Sequence, residues 1–304
     1  MRNLKPETWR ARARFLRATR EFFHERGYIE LTTPCLADHA NLEPYLDPYE
    51  VRTERGRGFL ITSPEHALKR ALGQGLDRIF EIAHCFRGGE RGNWHAREFL
   101  MLEWYARGMA LEDMMEESES LVRQLLGRPL RVERLAVADF FARELGHDFK
   151  RATLEDRLRA EGVAGVRDWS YSDLFFKHFL RIENRLQGRD AILLHHYPAE
   201  LAAYARTVGD RARRFEIYVS GVELANAYEE ETRPELLMAR CREMNQERQR
   251  SGRPAFEADP EFLNALGGIQ DPLSGIALGL ERLFALSLGL GGLEGATPFP
   301  SGPS

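Results

Sequence analysis

An arginine, an aromatic ring, a carboxylate and a phenol fall within residues 80–105, FEIAHCFRGGERGNWHAREFLMLEWY, at a spacing that could bring them to one surface. The flanks alternate as strands do, and Gly88, Gly89 and Gly92 lie between them. With a period of two, Ala83, Cys85 and Arg87 point one way, while Phe99, Met101, Glu103 and Tyr105 share a face of the return strand. A guanidinium fork suits phosphate, a ring suits stacking, and an acid suits an amine. Together they fit a small zwitterion beside a nucleotide.

A second group lies in residues 214–230, RFEIYVSGVELANAYEE. A two-residue turn at Ser220-Gly221 pairs Val219 with Val222 and Tyr218 with Glu223. Glu216 and Glu223 then become diagonal neighbours on one sheet face. Carboxylates so placed repel unless a cation sits between them, and Mg²⁺ on nucleotide phosphates needs only one or two protein carboxylates. Asn226, Tyr228 and Glu230 have the opposite parity, so Glu230 joins the site only through a bulge, expected at residues 225–227.

A third group is SGIALGLERLF, residues 274–284, a strand running into a helix. Gly275, Ala277 and Gly279 leave room for a ligand against the backbone. Arg282 falls in the first helical turn, where the macrodipole disfavours a cation unless an anion such as triphosphate is present. Upstream, Ser63-Pro64-Glu65 has the residue types of a helix start, with Ser at the N-cap, Pro at N1 and an acid at N2.

Arg87, His95, Glu98-Phe99 and Glu103-x-Tyr105 resemble, position by position, the second signature motif of class II aminoacyl-tRNA synthetases of the lysine type. The segment ending at Thr33-Pro34 is similar to the first motif, which builds the dimer interface in that family, and residues 274–284 are similar to the third. The resemblance extends over nearly the whole chain. It implies an α+β fold, the class II synthetase catalytic domain with an antiparallel sheet flanked by helices. This would be one domain over residues 1–304 with a mostly helical insertion at roughly 106–211.

The resemblance also implies ATP and Mg²⁺. Arg87 would neutralise the α-phosphate, Phe99 stack adenine, and Arg282 hold the far phosphates or adenine. Glu90, His95, Leu224 and Gly279 would complete the nucleotide site, and Glu216 and Glu223 would hold the metal. Ser63, Pro64, Glu65, Glu103, Tyr105, Asn226, Tyr228, Glu230 and Ala277 would form the amino-acid pocket, with Glu230 on the side-chain ammonium of lysine. The chain departs from the pattern where Arg-x-Glu becomes Arg87-Gly88-Gly89 with the acid at Glu90, and where Tyr228 and Glu229 replace Phe and Ser.

Lysine synthetases carry an anticodon-binding barrel before the first motif, whereas here that motif begins almost at the N-terminus. The chain instead resembles free-standing paralogues that attach lysine, preferentially (R)-β-lysine, to a lysine of translation elongation factor P. Ala277, where ordinary lysine synthetases have glycine, adds a methyl near the substrate α-carbon. The resemblance thus implies ATP-dependent activation of lysine or (R)-β-lysine and amide-forming transfer to elongation factor P, by a homodimer that does not use tRNA. The alternatives are a truncated lysine-tRNA ligase and a non-catalytic amino-acid-binding paralogue.

Several elements must position these residues. Trp9, Ala13, Leu16 and Phe23, with Phe15 and Phe22 beside them, recur at helical spacing before Gly27, and residues 28–31 read as a strand. Leu111, Met114, Met115, Leu121, Val122 and Leu125 mark an amphipathic helix. Residues 130–211 read as mostly helical and polar, with His195-His196 in surface or packing roles.

The 304 residues, 43% hydrophobic and 30% charged, can build a sizeable core, and a net charge of −4 gives no broad basic footprint for nucleic acid. Three cysteines without CxxC spacing point to a reduced, cytoplasmic protein with no disulfide or zinc site. No signal-peptide core or membrane span is expected, and residues 298–304 read as a disordered tail.

Overall fold

The computed structural model describes residues 4–54, 56–90 and 92–298, so most of the expected tail lies outside the described residues. The chain divides into two compact units, Met1–Pro129 with Glu229–Ser304, and Leu130–Tyr228. In chain order the first unit has α1 (Pro6–His24), β1 (Ile29–Glu30), β2 (Leu36–Ala37), β3 (Glu50–Thr53), β4 (Gly56–Leu60), α2 (Glu65–Gly73), β5 (Arg78–Phe86), β6 (Glu98–Arg107) and α3 (Leu111–Leu126). The second has β7 (Val132–Ala136), α4 (Val137–Leu145), α5 (Arg151–Ala160), α6 (Tyr171–Glu183), β8 (Ala191–His195), β9 (Thr207–Val208), β10 (Arg211–Ala212), β11 (Arg214–Val219) and β12 (Val222–Glu229). The chain returns to the first unit with α7 (Pro234–Arg250), α8 (Pro260–Ala265), β13 (Leu273–Gly279) and α9 (Leu280–Ser287).

In the first unit, β5 and β6 form the expected long hairpin, β13 lies antiparallel to β6, and β1 runs parallel to β5. Opposed residues share a face, so the register puts Glu81 with Glu103, Ala83 with Met101, and Cys85 with Phe99. It continues on β13, where Gly275 opposes Tyr105, Ala277 opposes Glu103 and Gly279 opposes Met101. This face is the floor of the candidate site. The other face carries Phe80 and Trp104, both fully buried. Phe23 of α1 stacks on Phe80 at 4.6 Å and meets Trp104 edge-on at 5.1 Å.

The apolar face of α1 differs from the expected one. Trp9 is 41% exposed and Ala13 is exposed, while Arg12, Phe15, Thr19, Phe22 and Phe23 are buried. The stripe is rotated because Arg12 is drawn inward by Glu281 at 2.9 Å, a partner 269 residues away.

In the second unit, β7 runs parallel to β8, β8 antiparallel to β11, and β11 antiparallel to β12. The sheets of both units are therefore mixed rather than purely antiparallel. The unit also holds more strand than expected, and its core is aromatic, with Phe140, Phe141, Phe175 and Phe179 buried together. The helix α3 falls in the first unit, so the inserted unit starts later than residue 106.

The Ser220-Gly221 turn forms as expected, both residues having left-handed backbone (φ 51° and 81°), with Tyr218 opposite Glu223. The bulge exists but lies one residue earlier than expected. Ile217 opposes Ala225 and Tyr218 opposes Glu223, which leaves Leu224 without a partner. The extra residue switches parity, so Asn226 opposes Glu216, Tyr228 opposes Arg214, and all share the face of Glu223. Replacing Phe23 by Ala should lower stability by about 3–5 kcal/mol, whereas Trp9→Ala should change it by less than about 0.5 kcal/mol. Urea midpoints of the two variants check the corrected face of α1.

Candidate active site

One end of the floor is built on a buried lysine. Lys69 of α2, 0% exposed, donates to Glu65 Oε1 at 2.6 Å and to Glu230 Oε2 at 2.7 Å. Glu65 is one helical turn before it, and the pair meets because residues four apart lie on one face. The ammonium also lies 5.6 Å from the centre of the Tyr105 ring.

Glu103 is 1% exposed and accepts from the Ser63 hydroxyl at 2.7 Å and the Tyr105 hydroxyl at 2.5 Å. Ser63 Oγ in turn accepts from the Glu65 amide at 3.0 Å, but Ser63 is not the expected N-cap residue. The helix itself begins at Glu65, with Pro64 as its cap. Gly275 completes this end: a Cβ there would stand 2.1 Å from the Tyr105 ring and 2.9 Å from Glu230 Oε1.

Two buried carboxyls thus share the Lys69 ammonium, and a third, Glu103, is linked to them through Ser63. Lys69 stays protonated, because its two carboxylates outweigh the cost of its burial. Burial raises Glu230 as well, with Lys69 opposing. Glu103 has no cation of its own. Burial and the charge of Glu65 push it up to about 8, against the pull of its two hydroxyl donors.

At the other end, Ala83, Cys85 and Met101 form a small buried cluster with Phe99 and Ala277 packed against it. The Arg87 guanidinium lies 5.2 Å from the centre of the Phe99 ring, and its Nε donates to the Thr62 carbonyl at 3.3 Å. Glu90 folds back to 3.8 Å from Arg87, so the displaced acid of the loop still meets the arginine. Arg282 donates from Nε to the Trp94 carbonyl at 3.0 Å. Both arginines act on His95, whose pKa is lowered first by loss of solvent and then by Arg282.

In the second unit, Glu216 accepts from Tyr197 at 2.5 Å, from Tyr218 at 2.6 Å, and from Arg214. Arg214 also donates to Asn226 Oδ1 at 3.0 Å, and Asn226 donates to the Tyr228 hydroxyl at 3.0 Å. Glu223 is exposed and raises the Arg214 pKa together with Glu216. The cation expected near the two acids is thus supplied in part by the chain itself. Among the described residues, no group of three or more His, Cys, Asp or Glu forms a metal cluster. The pair still suits a phosphate-borne Mg²⁺, since Glu223 faces solvent and Glu216 is fixed by donors that leave part of its acceptor capacity. Leu224, the bulged residue, is 2% exposed, so its side chain packs rather than binds.

Lys69, Arg214, Tyr197 and Glu81 carry no motif and were not legible as site residues. Glu81 is 3% exposed, takes the Thr33 amide at 2.8 Å, and lies directly across from Glu103. Its face was available from the alternation of β5.

A family profile described as tRNA synthetases class II (D, K and N) matches residues 2–302. The chain belongs to this class II synthetase family. Among its relatives, an "Elongation factor P--(R)-beta-lysine ligase homolog" of Aquifex aeolicus is 34% identical over 281 residues, covering 90% of this chain and 93% of the relative. Proteins named "Elongation factor P--(R)-beta-lysine ligase" from Hamiltonella defensa and Yersinia enterocolitica are each 32% identical, covering 95% and 96% of this chain and 93% and 94% of their own. The class II motifs account for the two arginines, the floor strands and the glycine-spaced β13.

The electrostatics of this class II site have a measurable consequence. A carboxyl raised on folding binds an extra proton in the folded state between its unfolded pKa, about 4.3, and its folded value, about 8 for Glu103. Its contribution is fully favourable below the unfolded value and is lost as pH rises through the folded one. The urea midpoint of the free protein should fall between pH 5 and 8, and Glu103→Gln should flatten that slope. An unchanged slope in the variant would place the titration elsewhere.

Proposed function

We propose that the protein is an ATP-dependent ligase that activates lysine or (R)-β-lysine as an aminoacyl-adenylate and transfers it to a lysine of elongation factor P. The observation that carries the substrate class is the charge balance around Glu65, Glu103 and Glu230: among the described residues Lys69 bonds Glu65 and Glu230, while Glu103 takes hydroxyl donors. A doubly cationic amino acid supplies a cation beside Glu103.

The substrate carboxylate attacks the α-phosphorus of ATP in line, and pyrophosphate leaves. Arg87 offsets charge at the α-phosphate and Arg282 at the far phosphates, while Phe99 stacks the base. Glu216 and Glu223 would hold Mg²⁺, which supplies charge neutralisation on the phosphate oxygens. The acceptor amine, with a reference pKa of about 10.4, loses its proton and attacks the adenylate carbonyl, forming the amide and releasing AMP.

Glu65, Glu103, Tyr105 and Glu230 recognise the amino acid, and Ala277, opposite Glu103, narrows the floor beside it. Exposed Trp9, Ile29 and Leu36 support a homodimer built on the first motif. A reduced cytoplasmic setting agrees with the absence of a disulfide among the described residues. No helix among the described residues is long and apolar enough to cross a membrane.

Amino-acid-dependent ATP-pyrophosphate exchange, comparing lysine with both β-lysine enantiomers, tests the reading. Exchange with at least one of them is expected, with transfer of label to elongation factor P, and Glu230→Gln should abolish exchange with all three. Charging of bulk tRNA without transfer to the factor would instead make the protein a tRNA ligase. Flat exchange with every cationic amino acid would leave only a binding paralogue.

A further inference from the structure

The turn that follows Arg87 is held by a residue remote from the chemistry. Arg248, near the end of α7, is 0% exposed. Its guanidinium donates to the carbonyls of Pro254 at 2.8 Å, Glu43 at 2.8 Å and Leu46 at 2.6 Å, and to Asp47 Oδ1 at 3.1 Å. It also lies 4.5 Å from the centre of the Phe256 ring, whose backbone is tied at both ends to Asn245 of α7. Arg253 adds a second cation at Asp47 Oδ2, 3.3 Å away.

Asp47 then grips the loop. Its carbonyl accepts the Gly88 amide at 2.8 Å in an antiparallel bridge. A Cβ on Gly88 would stand only 3.1 Å from that carbonyl, which accounts for glycine directly after the arginine. One buried guanidinium therefore fixes the strap of residues 43–47, and the strap fixes the backbone on which Arg87 stands.

We propose that Arg248 and Asp47 form a latch that positions Arg87 for the α-phosphate, making Arg248 a positioning residue for adenylate formation. The planar fork matters, because a lysine presents a single point and cannot span three carbonyls and a carboxylate. A small shift of Arg87 is costly, since misplacement of about 1 Å can reduce rate about a hundredfold. The proposal rests on the adenylation reading for its kinetic consequence but not for its structural one.

Two readouts separate them. In Asp47→Ala, whose side chain is partly exposed, and in Arg248→Met, the Gly88 amide should exchange with deuterium about tenfold faster. Amides of β6 should not change. In pyrophosphate exchange, kcat/KM for ATP should fall about a hundredfold, with the amino-acid KM within about twofold. Arg248→Lys should recover little of it. Unchanged Gly88 protection in Asp47→Ala, or ATP and amino-acid KM values that rise together, overturns the latch. A parent protein that shows no exchange but whose Gly88 amide is released by the substitutions overturns the adenylation reading and leaves the latch standing.

Discussion

A single buried ammonium held between two carboxylates, with the buried carboxyl of Glu103 close by, is the constraint on which the site depends. Two charges held in a poorly solvated interior are tolerable only with good geometry and full hydrogen bonding, and Lys69 between Glu65 and Glu230 meets both conditions. Glu103 does not, because hydroxyl donors from Ser63 and Tyr105 soften its charge without cancelling it. On the function proposed here, the second ammonium of a diamino acid would supply a cation beside Glu103.

The sheet makes this possible by giving each face one task. Phe80 and Trp104 project into α1, where Phe23 stacks, and this packing fixes the height of the strands. The same strands, one residue out of phase, offer Phe99, Glu103 and Tyr105 to the ligand side. A slip of one residue would bury the acids under α1 and expose the rings. Gly275 permits the close approach of Tyr105 and Glu230, and larger side chains there would break the carboxyl cluster apart.

Much of this was legible because strand parity is a local property. The faces of β5 and β6 followed from alternation alone, and the mismatch of parity between Glu223 and Asn226 demanded a bulge before any coordinates. Its place, at Leu224 rather than within residues 225–227, was not legible, since any neighbouring insertion gives the same switch. Lys69 was hidden for a different reason: in a helix sequence a lysine four residues after a glutamate reads as a solvated pair, and only Glu230, 161 residues away, makes it a buried one. Arg12 and Arg214 were hidden likewise. Arg12 is buried against Glu281, 269 residues away, and Arg214 against Glu216, two residues along its own strand, and hydrophobic periodicity registers neither ion pair.

The account stands most directly on what happens to the proton of Glu103 when the second ammonium arrives. Calorimetric titration of the protein with lysine or β-lysine at pH 7.5, in buffers of different ionisation enthalpy, measures that proton. Net release to the buffer is the predicted result, reduced in Glu103→Gln. Binding with no proton exchange, or with uptake, would mean that the pocket is already neutral without its substrate and would contradict the account.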